Sequence, residues 1–134
     1  MLTIKPEENY KPILEEMNIS IPDGAFVMAM KDGGELLGLA AARTFSDYAV
    51  IDEIAVKDEF KDFSLEYGLG KAVLNAIDLK GIKYVVSNAL HIEKQLRALK
   101  FKSPDELKIE EEIPDFICDC KLCLDLDGYF LSNC

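Results

Sequence analysis

Apolar positions along the chain recur with two different periods, and the switches between them predict its strands and helices. Tyr10, Ile13, Leu14 and Met17 stand at helical spacing, which predicts a short amphipathic helix over residues 7–17 with Pro12 near its first turn. A short strand at residues 3–4 precedes it. Residues 25–31 read as a strand, Lys31-Asp32-Gly33-Gly34 as a hairpin turn, and residues 36–45 as the partner strand. Ser46-Asp47 turns the chain into a third strand over residues 48–56, completing an antiparallel meander.

The pattern then changes. Residues 57–67 read as a polar loop carrying Phe60, Phe63 and Leu65, and the loop ends in Gly68-Leu69-Gly70. Leu69, Ala72, Val73, Ala76 and Ile77 line one buried helix face, with Gly81 as the stop signal. Residues 82–87 are a β-branched and aromatic run suited to a buried strand, and residues 90–99 form a second helix with Ile92, Leu96 and Leu99 on one face. Residues 106–113 are acidic and open to either strand or loop. From 116 to 126 a period of two predicts a long strand, with Cys118 and Cys120 on its apolar face and Cys123 on the other. The predicted order is β-α-β-β-β-α-β-α-β. It describes one domain over residues 1–134, an α/β (α+β) fold with a mixed, largely antiparallel central sheet flanked by helices.

Composition narrows the function. A chain of 134 residues, 49% hydrophobic and 30% charged, can close one core without disulfides. The formal charge of −10 and the absence of basic clusters argue against nucleic acid and against an anionic membrane surface. No apolar run approaches the roughly 18 residues of a membrane span. The first eight residues carry charges where a signal peptide needs an apolar stretch, so a cytoplasmic location is expected. There the four cysteines are expected as reduced thiols. Cys118-x-Cys120-x-x-Cys123, with Cys134, invites a zinc or iron–sulfur reading. An unbent strand cannot converge three alternating thiols on one ion, which favours core packing, and no metal is assigned.

The segment richest in chemistry is a strand, a loop and a helix: Ile51-Asp52-Glu53-Ile54-Ala55-Val56, then Tyr67-Gly68-Leu69-Gly70-Lys71-Ala72-Val73. Glycines at a helix mouth let backbone N–H groups approach an anion such as a diphosphate. They also suit an ordinary flexible loop. From Glu35 to Phe101 the chain resembles the GNAT N-acetyltransferase superfamily. Glu35-Leu36-Leu37-Gly38-Leu39 resembles a hairpin arm, and Ile51-Asp52-Glu53-Ile54-Ala55-Val56 the family's central strand. Gly68-Leu69-Gly70 matches the glycines of its Q/R-x-x-G-x-G/A signature, and Leu99-Lys100-Phe101 stands where Leu-Gly-Phe is usual.

The resemblance implies acetyl-coenzyme A as co-substrate. Its pantetheine arm would pair with the backbone near Ile54, Ala55 and Val56, and its diphosphate would lie on Tyr67, Gly68, Leu69, Gly70 and Lys71, with Asn88 orienting cofactor or substrate. It implies direct transfer of the acyl group to a small-molecule or peptide amine. Glu53 is the favoured base, and alternation sends Asp52 to the opposite face. Tyr84, His91 and Tyr67 are candidates for the acid. Glu53 reads equally as a salt-bridged strand carboxylate, His91 as a helix-start polar residue, and Asn88 as a cap. The chain departs from the family pattern at Leu65, in the Q/R position, at Leu96, where a tyrosine acid is frequent, and in a loop longer by about four residues. Lys61 aligns with the signature's arginine if residues 63–66 are the insert. A second reading follows, a binding or regulatory module without turnover. The long C-terminal strand also offers an edge for a homodimer.

Overall fold

The structure is a computed structural model, and it describes residues 1–106, 120–127 and 129–132. Among the described residues six strands form one sheet in chain order: β1 (Leu2–Pro6), β2 (Phe26–Asp32), β3 (Glu35–Thr44), β4 (Tyr48–Val56), β5 (Tyr84–Ser87) and β6 (Leu122–Asp125). All neighbours are antiparallel except β4 and β5, which run parallel. The helices among the described residues are α1 (Lys11–Met17), α2 (Phe63–Leu79), α3 (Glu93–Ala98) and α4 (Tyr129–Ser132). A single-turn 3-10 segment over Leu90–Ile92 leads into α3. No helix among the described residues is long and apolar enough to cross a membrane.

The meander follows the predicted pattern closely. Gly33 and Gly34, at φ +60° and +92°, supply the left-handed pair that a tight two-residue hairpin needs. Alternation divides the sheet between two cores. Ala40, Ala42, Ala49, Ile51, Ile54 and Val56 face α2 and α3, where they meet Leu69, Val73, Leu74, Ile77, Leu96 and Leu99. Val27, Ala29, Leu36, Leu39 and Ala41 face α1 and Ile13. On that second face, Val86, Cys120 and Cys123 form a smaller cluster against Tyr48, Val50 and Tyr84.

The departures are local. α1 begins at Lys11 rather than at residue 7, because Pro12 suits the first turn. α2 begins at Phe63, five residues before Gly68. Asp62 caps it, accepting from Ser64 N–H through its side chain at 2.9 Å and from Leu65 and Glu66 N–H through its carbonyl. Gly68 and Gly70 therefore lie inside the helix and not at its mouth. Gly70 has a packing reason: a Cβ there would stand 2.4 Å from Leu99 Cδ1 of the crossing segment. The strand predicted over residues 116–126 is represented by β6, while residues 116–119, with Cys118, and residues 133–134, with Cys134, lie outside the described ones. Residue 120 precedes β6 and a bend follows at 121, so Cys120 and Cys123 share one buried cluster instead of opposite faces.

Candidate functional site

β4 pairs with β3 as far as Val56 but with β5 only over Tyr48–Val50. The last link between the parallel strands is a side chain, Ser87 Oγ donating to the Ile51 carbonyl at 2.8 Å. Past that point the strands part, and among the described residues the edge of β4 over residues 52–56 has no strand neighbour on the β5 side. The register says which groups it offers. Lys57 N–H donates to the Leu37 carbonyl at 2.8 Å, so residues 53, 55 and 57 turn their backbone groups toward β3. Ile54 and Val56 turn theirs into the opening, whereas those of Ala55 are directed at Leu39. Gly38 brings β3 close at this point, since a Cβ on it would lie 2.4 Å from the Ala55 carbonyl oxygen.

The pairing of β3 and β4 slips by one residue between Ala41 and Ala42, where Ala41 faces Glu53 and Ala42 faces Ile51. Asp52 is the extra residue of a β-bulge. Ile51 and Ile54 consequently share the α2 core, and neither Asp52 nor Glu53 points into it. This corrects the expectation of opposite faces, which assumed unbroken alternation. Arg43 grips Asp52 with two parallel bonds, Nε to Oδ2 at 2.9 Å and Nη2 to Oδ1 at 2.8 Å, and Asp52 is 9% exposed. Hydrogen bonding to Asp52 holds the guanidinium's pKa above its ordinary value.

Glu53 and His91, 38 residues apart in sequence, meet across the opening: His91 Nε2 lies 2.9 Å from Glu53 Oε1. The same carboxylate oxygen accepts from Ile54 N–H at 3.1 Å. Glu53 is 16% exposed and His91 59%, so the pair runs from the strand edge out to solvent. A cleft of about 540 Å³ opens on the α1 side of the sheet, lined by Met17, Ile19, Ala55, Val56, Asp58 and Glu59 among others. A second, of about 440 Å³, lies on the other side of the bulge between Arg43, Phe45, Tyr48, Val50, Asn88 and Cys120.

Other expected site residues are placed elsewhere. Tyr84 pairs with Tyr48 at the closed end of the opening, about 16 Å along the strand from Glu53 at 3.3 Å per residue. Asn88 uses its side-chain oxygen to accept from Lys121 N–H at 2.8 Å and so fastens the approach to β6. Lys71 Nζ lies over the rings of Tyr129, Tyr67 and Phe130 at 4.4, 5.5 and 5.6 Å, which engages Lys71 and Tyr67 in docking α4. The amides of Gly68, Leu69, Gly70 and Lys71 stand in the second and third turns of α2, where the ladder of helical bonds uses them. The residues thus fit an extended chain laid along Ile54 and Val56. They do not present the amides of residues 67–71 to a diphosphate.

No protein-family model and no curated protein sequence matches this chain. Solved structures do. A GNAT family acetyltransferase from Elizabethkingia anophelis with acetyl-CoA bound superposes with a TM-score of 0.60 at 17% identity, over 93% of this chain and 98% of that one. The chain has the GNAT fold. A Bacillus subtilis acetyltransferase in complex with CoA shares the GNAT fold at TM-score 0.63 and 17% identity, over 94% of this chain and 99% of that one. So does N-acetylglutamate synthase from Neisseria gonorrhoeae, complexed with coenzyme A and N-acetyl-glutamate, at 0.64 and 18%, over 94% of this chain and 35% of that one. Within the GNAT fold, the parted strands, the Asp52 bulge and the Glu53–His91 pair concentrate the candidate chemistry at one point. Sequence reading reached Glu53 and His91 but missed Arg43. The hairpin register around Ser46-Asp47 would have placed it opposite Val50, on a diagonal to Asp52.

Proposed function

We propose that the chain is an N-acetyltransferase that uses acetyl-coenzyme A and acylates a small-molecule or peptide amine, with Glu53 as base and His91 as its partner. The observation that carries this reading is the 2.9 Å Glu53–His91 bond at the point where β4 leaves β5. Acetyl-coenzyme A, when bound, supplies an activated acyl carbon and a thiol leaving group. The backbone groups of Ile54 and Val56 hold its extended arm as an added strand would be held. Glu53 takes the proton from the acceptor's ammonium, because a protonated amine has no lone pair with which to attack. His91 holds the carboxylate in place and passes the proton toward solvent. Ile54 N–H donates to the acyl oxygen once Glu53 releases it, and His91 is the partner that keeps Glu53 after that release. Neighbours of the same fold that hold acetyl-CoA or CoA support the donor, and the one complexed with N-acetyl-glutamate supports a small amine acceptor.

One observation favours the second reading, a binding or regulatory module without turnover. The N-terminus of α2, where the signature would set phosphates, is closed by the Asp62 carboxylate. Two measurements separate the readings. Acetyl-CoA raises the melting temperature under both, whereas thiol release with a panel of amines appears only under the first. Glu53→Gln is expected to lower that release by about 10²-fold or more, the range of general-base contributions, while leaving the cofactor-induced thermal shift in place. A Glu53→Gln protein as fast as the parent removes Glu53 as the base.

A further inference from the structure

We infer that Cys120 and Cys123 form a reactive dithiol, the site of a reversible disulfide made by exchange with a small-molecule disulfide. The two thiols belong to one buried cluster with Val86, an arrangement created by the bend at residue 121. Their situations differ in a way that orders the reaction. Cys120 is 7% exposed and lines the 440 Å³ cleft with Arg43 and Asn88, so a small reagent reaches it. Cys123 is fully buried. Its backbone is pinned by reciprocal bonds with Lys102 at 2.7 and 2.9 Å, and its Sγ donates to the Lys102 carbonyl at 3.5 Å.

Burial, with Cys120 beside it, pushes the Cys123 thiol up to about 12, so Cys123 is a poor first nucleophile. Cys120 therefore attacks one sulfur of the incoming disulfide, releasing one small thiol and leaving a mixed disulfide in the cleft. Cys123, in the same cluster, then attacks the Cys120 sulfur; the attack is intramolecular, so a small thiolate fraction suffices, and the proton Cys123 gives up goes to the departing second small thiol. Two protein thiols are oxidised to one disulfide, and one disulfide is reduced to two thiols. The bridge would lie in the wall of the second cleft. It leaves the Glu53–His91 pair outside the exchange, so it stands independently of the proposed acyl transfer.

Oxidised glutathione is the probe. The folded protein is incubated with it and alkylated, and its cysteines are then mapped by mass. The expected result is a fall in titratable thiols from four to two, with Cys120 joined to Cys123. Trypsin cuts after Lys121 and leaves Cys120 in one peptide with Cys118, and Cys123 in another with Cys134, so the pairing is assigned in the variant that follows. A protein carrying Cys118→Ser and Cys134→Ser keeps only this pair and is expected to lose both thiols. In the same background Cys123→Ser is expected to accumulate a glutathione adduct on Cys120, and Cys120→Ser to acquire none on Cys123. The inference is overturned if the double variant, folded by circular dichroism, retains both thiols, or if the adduct forms on Cys123 first.

Discussion

Lys100 has a φ of +80°, a left-handed conformation that costs an L residue with a Cβ roughly 1–2 kcal/mol. It closes α3 in a Schellman turn, with Phe101 N–H donating to the Leu96 carbonyl and Lys100 N–H to that of Arg97, both at 3.0 Å. The sequence shows a lysine where the resembling family has glycine, and the backbone confirms that the turn is kept without it. Lys100→Gly is expected to stabilise the fold by up to about 1 kcal/mol, read by chemical denaturation. The two α2 glycines give a contrasting pair. Gly70→Ala meets Leu99 in the core and is expected to cost about 1–3 kcal/mol. Gly68→Ala meets only Ile4 Cδ1 at 3.9 Å and is expected to be neutral or stabilising by up to about 1 kcal/mol, since alanine is the better helix former. If Gly68→Ala cost as much as Gly70→Ala, the helix interior would be wrong for residue 68.

At the scale of elements, β4 was legible because Tyr48–Ile51 and Ile54–Val56 are short runs rich in β-branched and aromatic residues, broken only by Asp52-Glu53. The bulge was not legible, since apolar residues fill both parities on either side of Asp52-Glu53 and only the pairing with β3 shows the slipped register. The start of α2 was legible in principle: Asp62-Phe63-Ser64-Leu65-Glu66 offers a capping residue and an acid in the first turn. Two glycines concealed it, being read as breakers when one of them is required by Leu99. Asp62→Ala is expected to lower the melting temperature and to leave the helix start open to anions, measurable as a larger thermal shift with inorganic phosphate. A third element, the turn over Pro104–Glu106 that follows α3, carries a pH dependence. Glu106 accepts from Ser103 and from Arg97, and those bonds hold its carboxyl at about 2, below the ordinary 4.5. Its contribution is fully present above pH 4.5 and lost as pH falls toward 2. The difference in melting temperature between the parent and Glu106→Gln should therefore close across that window.

For the whole molecule, the decisive feature is that one sheet is joined at one end and parted at the other. Ser87 sits at the junction, wholly buried, giving its hydroxyl proton to Ile51 and accepting from Ala89 N–H at 3.1 Å. Ser87→Ala leaves both groups without that partner and is expected to cost about 1–3 kcal/mol, with the loss seen in urea unfolding. The meander and the two-sided core came from periodicity. The parting came from a parallel pairing three residues long, which periodicity does not encode. The single surplus residue at Asp52 has one more consequence. Excising it would leave Ile51, Ile54 and Val56 in step along one side, so every apolar residue of the strand would keep its seat. What would vanish is the offset that sends two carboxylates the same way. The same core would then close around an ordinary ribbon, and any ability to gather charge at the gap would rest on that one inserted position.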